Sequence, residues 1–406
     1  MIIGPCTVVT GGAHPAVLED AAVRVLGAHI SHVGPAGQIA AAYPDDMRWP
    51  ARGRVVMPGF VNTHAHLARH LARGLPLRSP HEWKRYERAL SPEDVYWAVA
   101  GSLVEGVRHG VTTVCDFHRS GPSVDVSLSE VVAAAAAVGV RVATCWGVSE
   151  ADAPHERRAT TEESRGFGAE IGRRFDGKVR AMLGVQPTTL AGMTSMVDDA
   201  LDIAGDRMPV HVDLALDLTP AERGRARSAQ RGAMPTAVWA HAEIAPRELI
   251  TAARERGDLL SAVGFGSVAA LVREADVGWG SDTSVNAPPL PDITHGWTLG
   301  ARADAHYRRL FVNGPEWAGR FFGEGLGTLS PGTPADLVLV DYRPSTEFSA
   351  RTLSEHLWAG LLRAPVSGVM VSGEIVMDNG VLVTIDEHEV AIRARECAKR
   401  VWERLG

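Results

Sequence analysis

The segment MPGFVNTHAH places His64 and His66 two residues apart at the end of an apolar run. If that run is a strand, alternate side chains share a face, so both imidazoles project the same way. Two neutral imidazoles one pleat apart suit a divalent zinc or iron ion. Further along, His241 closes the apolar stretch TAVWAH, and Asp282 closes VGWGSD. A carboxylate there can bind a cation and also take a proton from water, so Asp282 is expected to serve as both ligand and base. The stretch HVDLALD leaves two further ligand candidates, His211 and Asp213, which alternate onto one face. Either one, or both, could reach the ion.

Residues with this chemistry need elements that carry them to a common point. Eight short apolar runs alternate with amphipathic stretches: GFVNTHAH, VTTVCDFH, GVRVATCWGV, KVRAMLGVQP, MPVHVDLALD, TAVWAHAE, LLSAVG and DVGWGSD. That rhythm predicts an α/β fold, a (β/α)8 TIM barrel, whose strand ends and following loops build the mouth. The sequence outside this region has another texture. Short β-like runs broken by Gly and Pro fill the first 56 residues, where they predict a small antiparallel sheet, and recur after residue 327, with a hairpin turn expected at Ser372 and Gly373. Neither end has enough apolar surface to fold alone, so 1–56 and 327–406 are expected to form one small β-sandwich beside a barrel spanning 57–326. Glu387 to Leu405 reads as a terminal amphipathic helix packed outside.

Bulk composition narrows the function classes. A chain of 406 residues, 45% hydrophobic, exceeds the roughly 250–300 residues at which single cores stop growing, so two structural units are expected. The net charge of -7 comes without a long basic run, which argues against nucleic acid as a partner. No signal-peptide pattern opens the chain, and no run of about 18 apolar residues occurs, so secretion and membrane insertion are not expected. Cys6, Cys115, Cys145 and Cys397 are scattered without a CxxC pair, which suits reduced thiols in the cytoplasm.

These segments, with GVTTVCDFHRS, VRVATCWGVS, WAH, GSD and the closing GTLSPGTPADLVLVDYRPSTEF and VSGEIVMDNG, resemble the cytosine deaminase and chlorohydrolase branch of the amidohydrolase superfamily. The likeness is nearest to SsnA-type aminohydrolases and covers almost the whole chain. It implies that His64, His66, His241 and Asp282 hold one divalent ion, zinc foremost and iron second. It also implies hydrolysis of a carbon–nitrogen bond in a small nitrogen heterocycle, and a homodimer.

The chain departs from that pattern. The family's fifth strand reads His-x-His-x-x-Glu, whereas this chain has Asp213 at the ligand position and Leu216 in place of the glutamate, so Asp217 becomes the alternative proton donor. Gln186 stands where a substrate-facing histidine is usual. His118, Trp146, Gln186 and Trp297, with His295 beside it, are therefore expected at the substrate, while Glu243 reads as a solvated loop charge. The same losses leave room for a redirected lyase or cyclisation reaction, or for a non-catalytic relative.

Overall fold

The computed structural model describes residues 1–121, 123–174, 177–205, 208–215, 237–245, 247–263, 277–283, 285–288 and 299–406. Asp217, Leu216, His295 and Trp297 lie outside them.

The eight expected barrel strands are present: Phe60–Ala65, Val111–His118, Arg141–Ser149, Leu183–Gln186, Val210–Asp213, Ala237–Ala240, Leu259–Val263 and Val277–Gly280. They pair in chain order, all parallel, and Val179–Ala181 extends the fourth strand along the third. Backbone bonds from Ser281 N and Asp282 N to His64 O, and from His66 N to Asp282 O, join the eighth strand end to the first. The barrel is thereby nearly closed, and its seam lies at the two residue types that the sequence assigns to chemistry. Nearly every strand residue is buried, the pattern of a parallel sheet covered on both faces. Several helices between the strands start on side-chain caps. Pro92–Arg108, for example, opens with a reciprocal Ser91 and Asp94 capping box.

The two chain ends share one nine-stranded sheet. Val55–Pro58 from the N-terminal side pairs antiparallel with Leu337–Val340 from the C-terminal side. Not all of the N-terminal part is antiparallel: Ile2–Val9 runs parallel to both Arg48–Trp49 and Val55–Pro58. Side chains alternate between two cores. Val56, Leu337, Leu339 and Met370 face a core with Ile3, Val23 and Trp49, while Val55, Met57, Val338, Val340 and Val369 join a core with Phe60, Val111 and Phe311 of the barrel. Double-sided burial explains why LVLV is apolar throughout. The hairpin falls at Ser372 and Gly373, both with positive φ, as a tight two-residue turn requires. Glu387–Leu405 is the terminal helix, capped by Asp386, which accepts from His388 N and Glu389 N. All four cysteines are buried free thiols. Among the described residues, no helix is long and apolar enough to cross a membrane.

Candidate metal centre

Four strand ends bring five side chains together at the barrel mouth. His64 lies on the first strand and His66 just past its end, Asp213 closes the fifth, His241 directly follows the sixth, and Asp282 stands two residues beyond the eighth. His66 Nε2 lies 3.4 Å from Asp282 Oδ1 and 3.5 Å from Asp213 Oδ2. His241 Nε2 lies 3.4 Å from Asp213 Oδ1, and His64 Nε2 stands 3.8 Å from Asp282 and 4.0 Å from Asp213. Donors about 2.0–2.2 Å from a shared zinc-sized ion are separated by about 3–4 Å, so these spacings fit a common centre.

Each imidazole is tethered through Nδ1, which leaves Nε2 inward. His66 Nδ1 donates to Phe117 O at 2.9 Å, which fixes its proton on that nitrogen because a carbonyl only accepts. His241 Nδ1 pairs with Glu243 Oε1 at 3.0 Å, and His64 Nδ1 with His211 Nε2 at 2.9 Å. His64 Nε2 is buried without a hydrogen-bond partner. A buried, unpartnered ring nitrogen aimed at two carboxylates is what a cation ligand presents in an ion-free fold. The residues therefore fit a divalent ion.

Electrostatics follow from burial and neighbours. Burial, helped by the surrounding histidines and opposed by Asp213, holds His64 well below the usual histidine range, so the ring stays neutral. Burial likewise pushes His211 down to about 3. Burial favours the neutral acid at Asp213, but the His66 contact and the charges of His66, His64 and His241 outweigh it and keep the carboxylate ionised. His241 goes the other way: burial opposes its charge, yet Glu243, Asp213 and Asp282 together raise it to about 9. His241 and Asp282 both adopt left-handed backbone, with φ of 59° and 52°. For non-glycine residues this costs about 1–3 kcal/mol and marks side chains aimed by their surroundings. For Asp282 those surroundings are the backbone bonds to His64 and His66.

His211 and Asp213 share a face, but His211 sits one pleat deeper and pairs its Nε2 with His64 Nδ1, whereas Asp213 belongs to the candidate cation-holding group. Gln186 faces Asp213 rather than open space, its Nε2 donating to Oδ2 at 2.7 Å. His118 is buried, bonds Ser120 Oγ at 3.1 Å and meets Trp146 edge-on at 5.6 Å. Neither is drawn into the five-residue cluster.

Two groups escaped the sequence reading, and Glu243, read there as a solvated loop charge, is partly exposed but pairs with His241 Nδ1; its position two residues after a strand-end histidine is the available signal. Asp116 is fully buried, accepts from Leu67 N and Thr144 Oγ1, and is raised to about 6 by burial against those bonds. Its place two residues before His118 puts it on the same strand face. Arg69 follows the first strand and brings Nη1 to 3.9 Å from Asp282 Oδ1.

The chain is similar to known proteins along its length. The Amidohydrolase family model matches residues 55–222. A 5-methylthioadenosine/S-adenosylhomocysteine deaminase of Pelotomaculum thermopropionicum is 26% identical, covering 100% of this chain and 99% of its own. Its namesake in Moorella thermoacetica is also 26% identical, over 96% and 97%. Two solved structures share the fold. One is the zinc complex of atrazine chlorohydrolase from Arthrobacter aurescens, with TM-score 0.70, 18% identity, and 98% and 99% coverage. The other is a zinc-bound adenosine deaminase from Xanthomonas campestris, with TM-score 0.69, 22% identity, and 99% and 98% coverage.

Proposed function

The chain carries an amidohydrolase family domain, and on that premise we propose that it is a metal-dependent hydrolase cleaving a carbon–nitrogen bond of a small nitrogen heterocycle, by deamination or a related displacement. The observation that carries this reading is a pair of adjoining ligand groups, His64 with His241 and Asp282 and His64 with His66 and Asp213, that share His64, whose Nε2 is buried and unpartnered. His64, His66, Asp213, His241 and Asp282 would hold one divalent ion, zinc by analogy with the zinc-bound neighbours. When bound, such an ion supplies Lewis acidity, lowering the pKa of water to about 7.

The chain's own residues divide the remaining work. Asp282 is the acid of the cluster with solvent access, its side chain 27% exposed, whereas Asp213 is 4% exposed. Asp282 is thus the group able to take a proton from attacking water on a carboxylate oxygen and pass it to the departing nitrogen. Thr283 Oγ1 donates to Asp282 Oδ2 at 3.4 Å, orienting the other oxygen toward His66. Asp213, clamped by Gln186 and ionised, is a ligand and not a proton carrier. The deaminase relatives make adenine-type rings the first substrates to try. Four buried thiols suit a cytoplasmic enzyme, and a homodimer is the expected assembly.

The test is elemental analysis of the purified chain followed by an ammonia-release screen over purines, pyrimidines and triazines. Near one ion per chain is expected, with turnover abolished in Asp282→Asn. A doubly substituted His64→Ala, His66→Ala protein that keeps both ion and activity would overturn the reading.

A further inference from the structure

Beside the cation cluster, three consecutive strand-to-helix connections are stitched by charge. Arg69 Nε and Nη2 both donate to Glu87 Oε1, at 3.1 and 2.7 Å. Arg119 Nε donates to Glu87 Oε2 at 3.1 Å, and its two other nitrogens reach Asp152 at 3.2 and 3.3 Å. Lys84 completes the chain on Asp152 at 3.0 Å. Three cations share Glu87 and Asp152, and among the described residues Arg69 alone reaches on to a third carboxylate, Asp282.

One edge of Arg69 is turned toward the cluster. Both Glu87 oxygens are occupied, and Glu87 is buried. The Arg69 guanidinium lies 4.6 Å over the Trp83 ring, so it is fixed in plane and position. Its remaining nitrogen, Nη1, has no hydrogen-bond acceptor among the described residues and stands 3.9 Å from Asp282 Oδ1, itself 3.4 Å from His66 Nε2. A cation held by the cluster would draw on Asp282 and leave the Nη1 edge free. The other nearby acid, Glu243, is engaged with His241.

We infer that Arg69 Nη1 is a substrate-binding group for a negatively charged oxygen, so that the substrate is a planar nitrogen heterocycle with an acidic oxygen substituent next to the ring. This rests on the hydrolase reading and narrows it. A charge-assisted hydrogen bond in such a place corresponds to about 10–100-fold in affinity.

Zinc-loaded protein titrated calorimetrically with nicotinate and with nicotinamide separates charge from ring shape. Nicotinate is expected to bind at least about tenfold more tightly, and Arg69→Met to erase that preference while leaving nicotinamide unaffected. Because Arg69→Met leaves buried Glu87 with one partner fewer, the double variant Arg69→Met, Glu87→Gln is measured alongside and is expected to lose the preference too. Equal binding of the two probes, no nicotinate binding, or a preference that survives both variants overturns the inference, the last meaning that the carboxylate sits on zinc alone. Each of those results leaves the hydrolase reading intact, whereas a wild-type chain that takes up no zinc removes both.

Discussion

Gln186 Nε2 donates to Asp213 Oδ2 at 2.7 Å, leaving Oδ1, 3.4 Å from His241 Nε2, as the oxygen free for a cation. An amide can hold a carboxylate in this way without competing for the ion or changing charge. Replacing it by Leu leaves Asp213 free to rotate or to offer both oxygens. Removal of such an outer support typically costs about 10–100-fold in metal affinity. Gln186→Leu is therefore expected to lower zinc affinity by that factor in a chelator competition, with the fold unchanged by circular dichroism. An unaltered affinity would show that packing alone positions Asp213.

Support for His64 is the second case. Coordination through Nε2 requires the His64 proton on Nδ1, donated to His211 Nε2. His211→Phe fills the space but offers no acceptor, so the Nδ1 proton is stranded in a buried site. Zinc affinity should fall by about one to two orders of magnitude. His211→Gln, whose carbonyl can accept, should recover part of the loss. Equal effects of Phe and Gln would point to packing in place of hydrogen bonding.

Much of this centre is legible in the sequence, and the reason is strand alternation. His64 and His66, two apart on the first strand, must share a face, and the same rule puts His211 and Asp213 together. Alternation does not say which of the latter pair stands nearer the mouth. That depends on the register of the fourth and fifth strands, Gly184 beside His211 and Val185 beside Val212, which brings Gln186 level with Asp213. The period-two rule is local, whereas register between strands 27 residues apart is set by packing. Arg69 and Glu87 are illegible for a related reason: they lie on a short 3-10 helix and on a separate α-helix, and only the folded mouth makes them a pair. That the two chain ends pair is easier to foresee than the parallel strands among them, because alternating patterns report burial and not strand direction.

Proton competition gives a pH prediction with a definite sign. His241 in the ion-free fold is raised to about 9, so below that pH it carries a proton that an ion must displace. Apparent zinc affinity is expected to rise with pH, by up to about tenfold per unit, and to level near pH 9. The linkage to stability runs oppositely: the ion-free protein gains from protonated His241 fully below the unfolded value near 6.5, and that gain is lost as pH rises through about 9. Glu243→Gln removes one cause of the raised value, so the affinity plateau should begin at lower pH. Titrations with a fluorescent zinc chelator between pH 6 and 10 would show it.

The barrel and the terminal sheet are joined by a buried ion pair. Arg141, on the third strand, donates from Nε to Asp336 Oδ2 at 2.6 Å and from Nη2 to Oδ1 at 3.1 Å. Ser372 N also donates to Asp336 Oδ1, at 2.7 Å, so one carboxylate ties the barrel strand to the hairpin turn. Arg141→Met strands a buried carboxylate, which should cost about 3–5 kcal/mol in unfolding free energy. Chemical denaturation of single and double variants would measure it, and a double Arg141→Met, Asp336→Leu protein should recover much of the loss.

Phe117 connects core packing to the proposed cation ligands. Its carbonyl accepts from His66 Nδ1, and its ring meets His66 and His211 edge-on at 5.6 and 5.3 Å. Gly147 lies against the same ring, and an added Cβ there would stand 2.0 Å from Phe117 Cε1. In a closely packed core Gly147→Ala is expected to displace the ring that both histidines touch. Overpacking of this kind costs about 1–3 kcal/mol. Stability alone would not distinguish Gly147 from any crowded core position, but zinc affinity does. If Phe117 sets the tilt of His66, Gly147→Ala should weaken zinc binding as well as stability, and a compensating Phe117→Leu, which keeps the carbonyl and yields space, should restore both together. Stability that falls while zinc affinity holds would mean that the carbonyl bond alone orients His66.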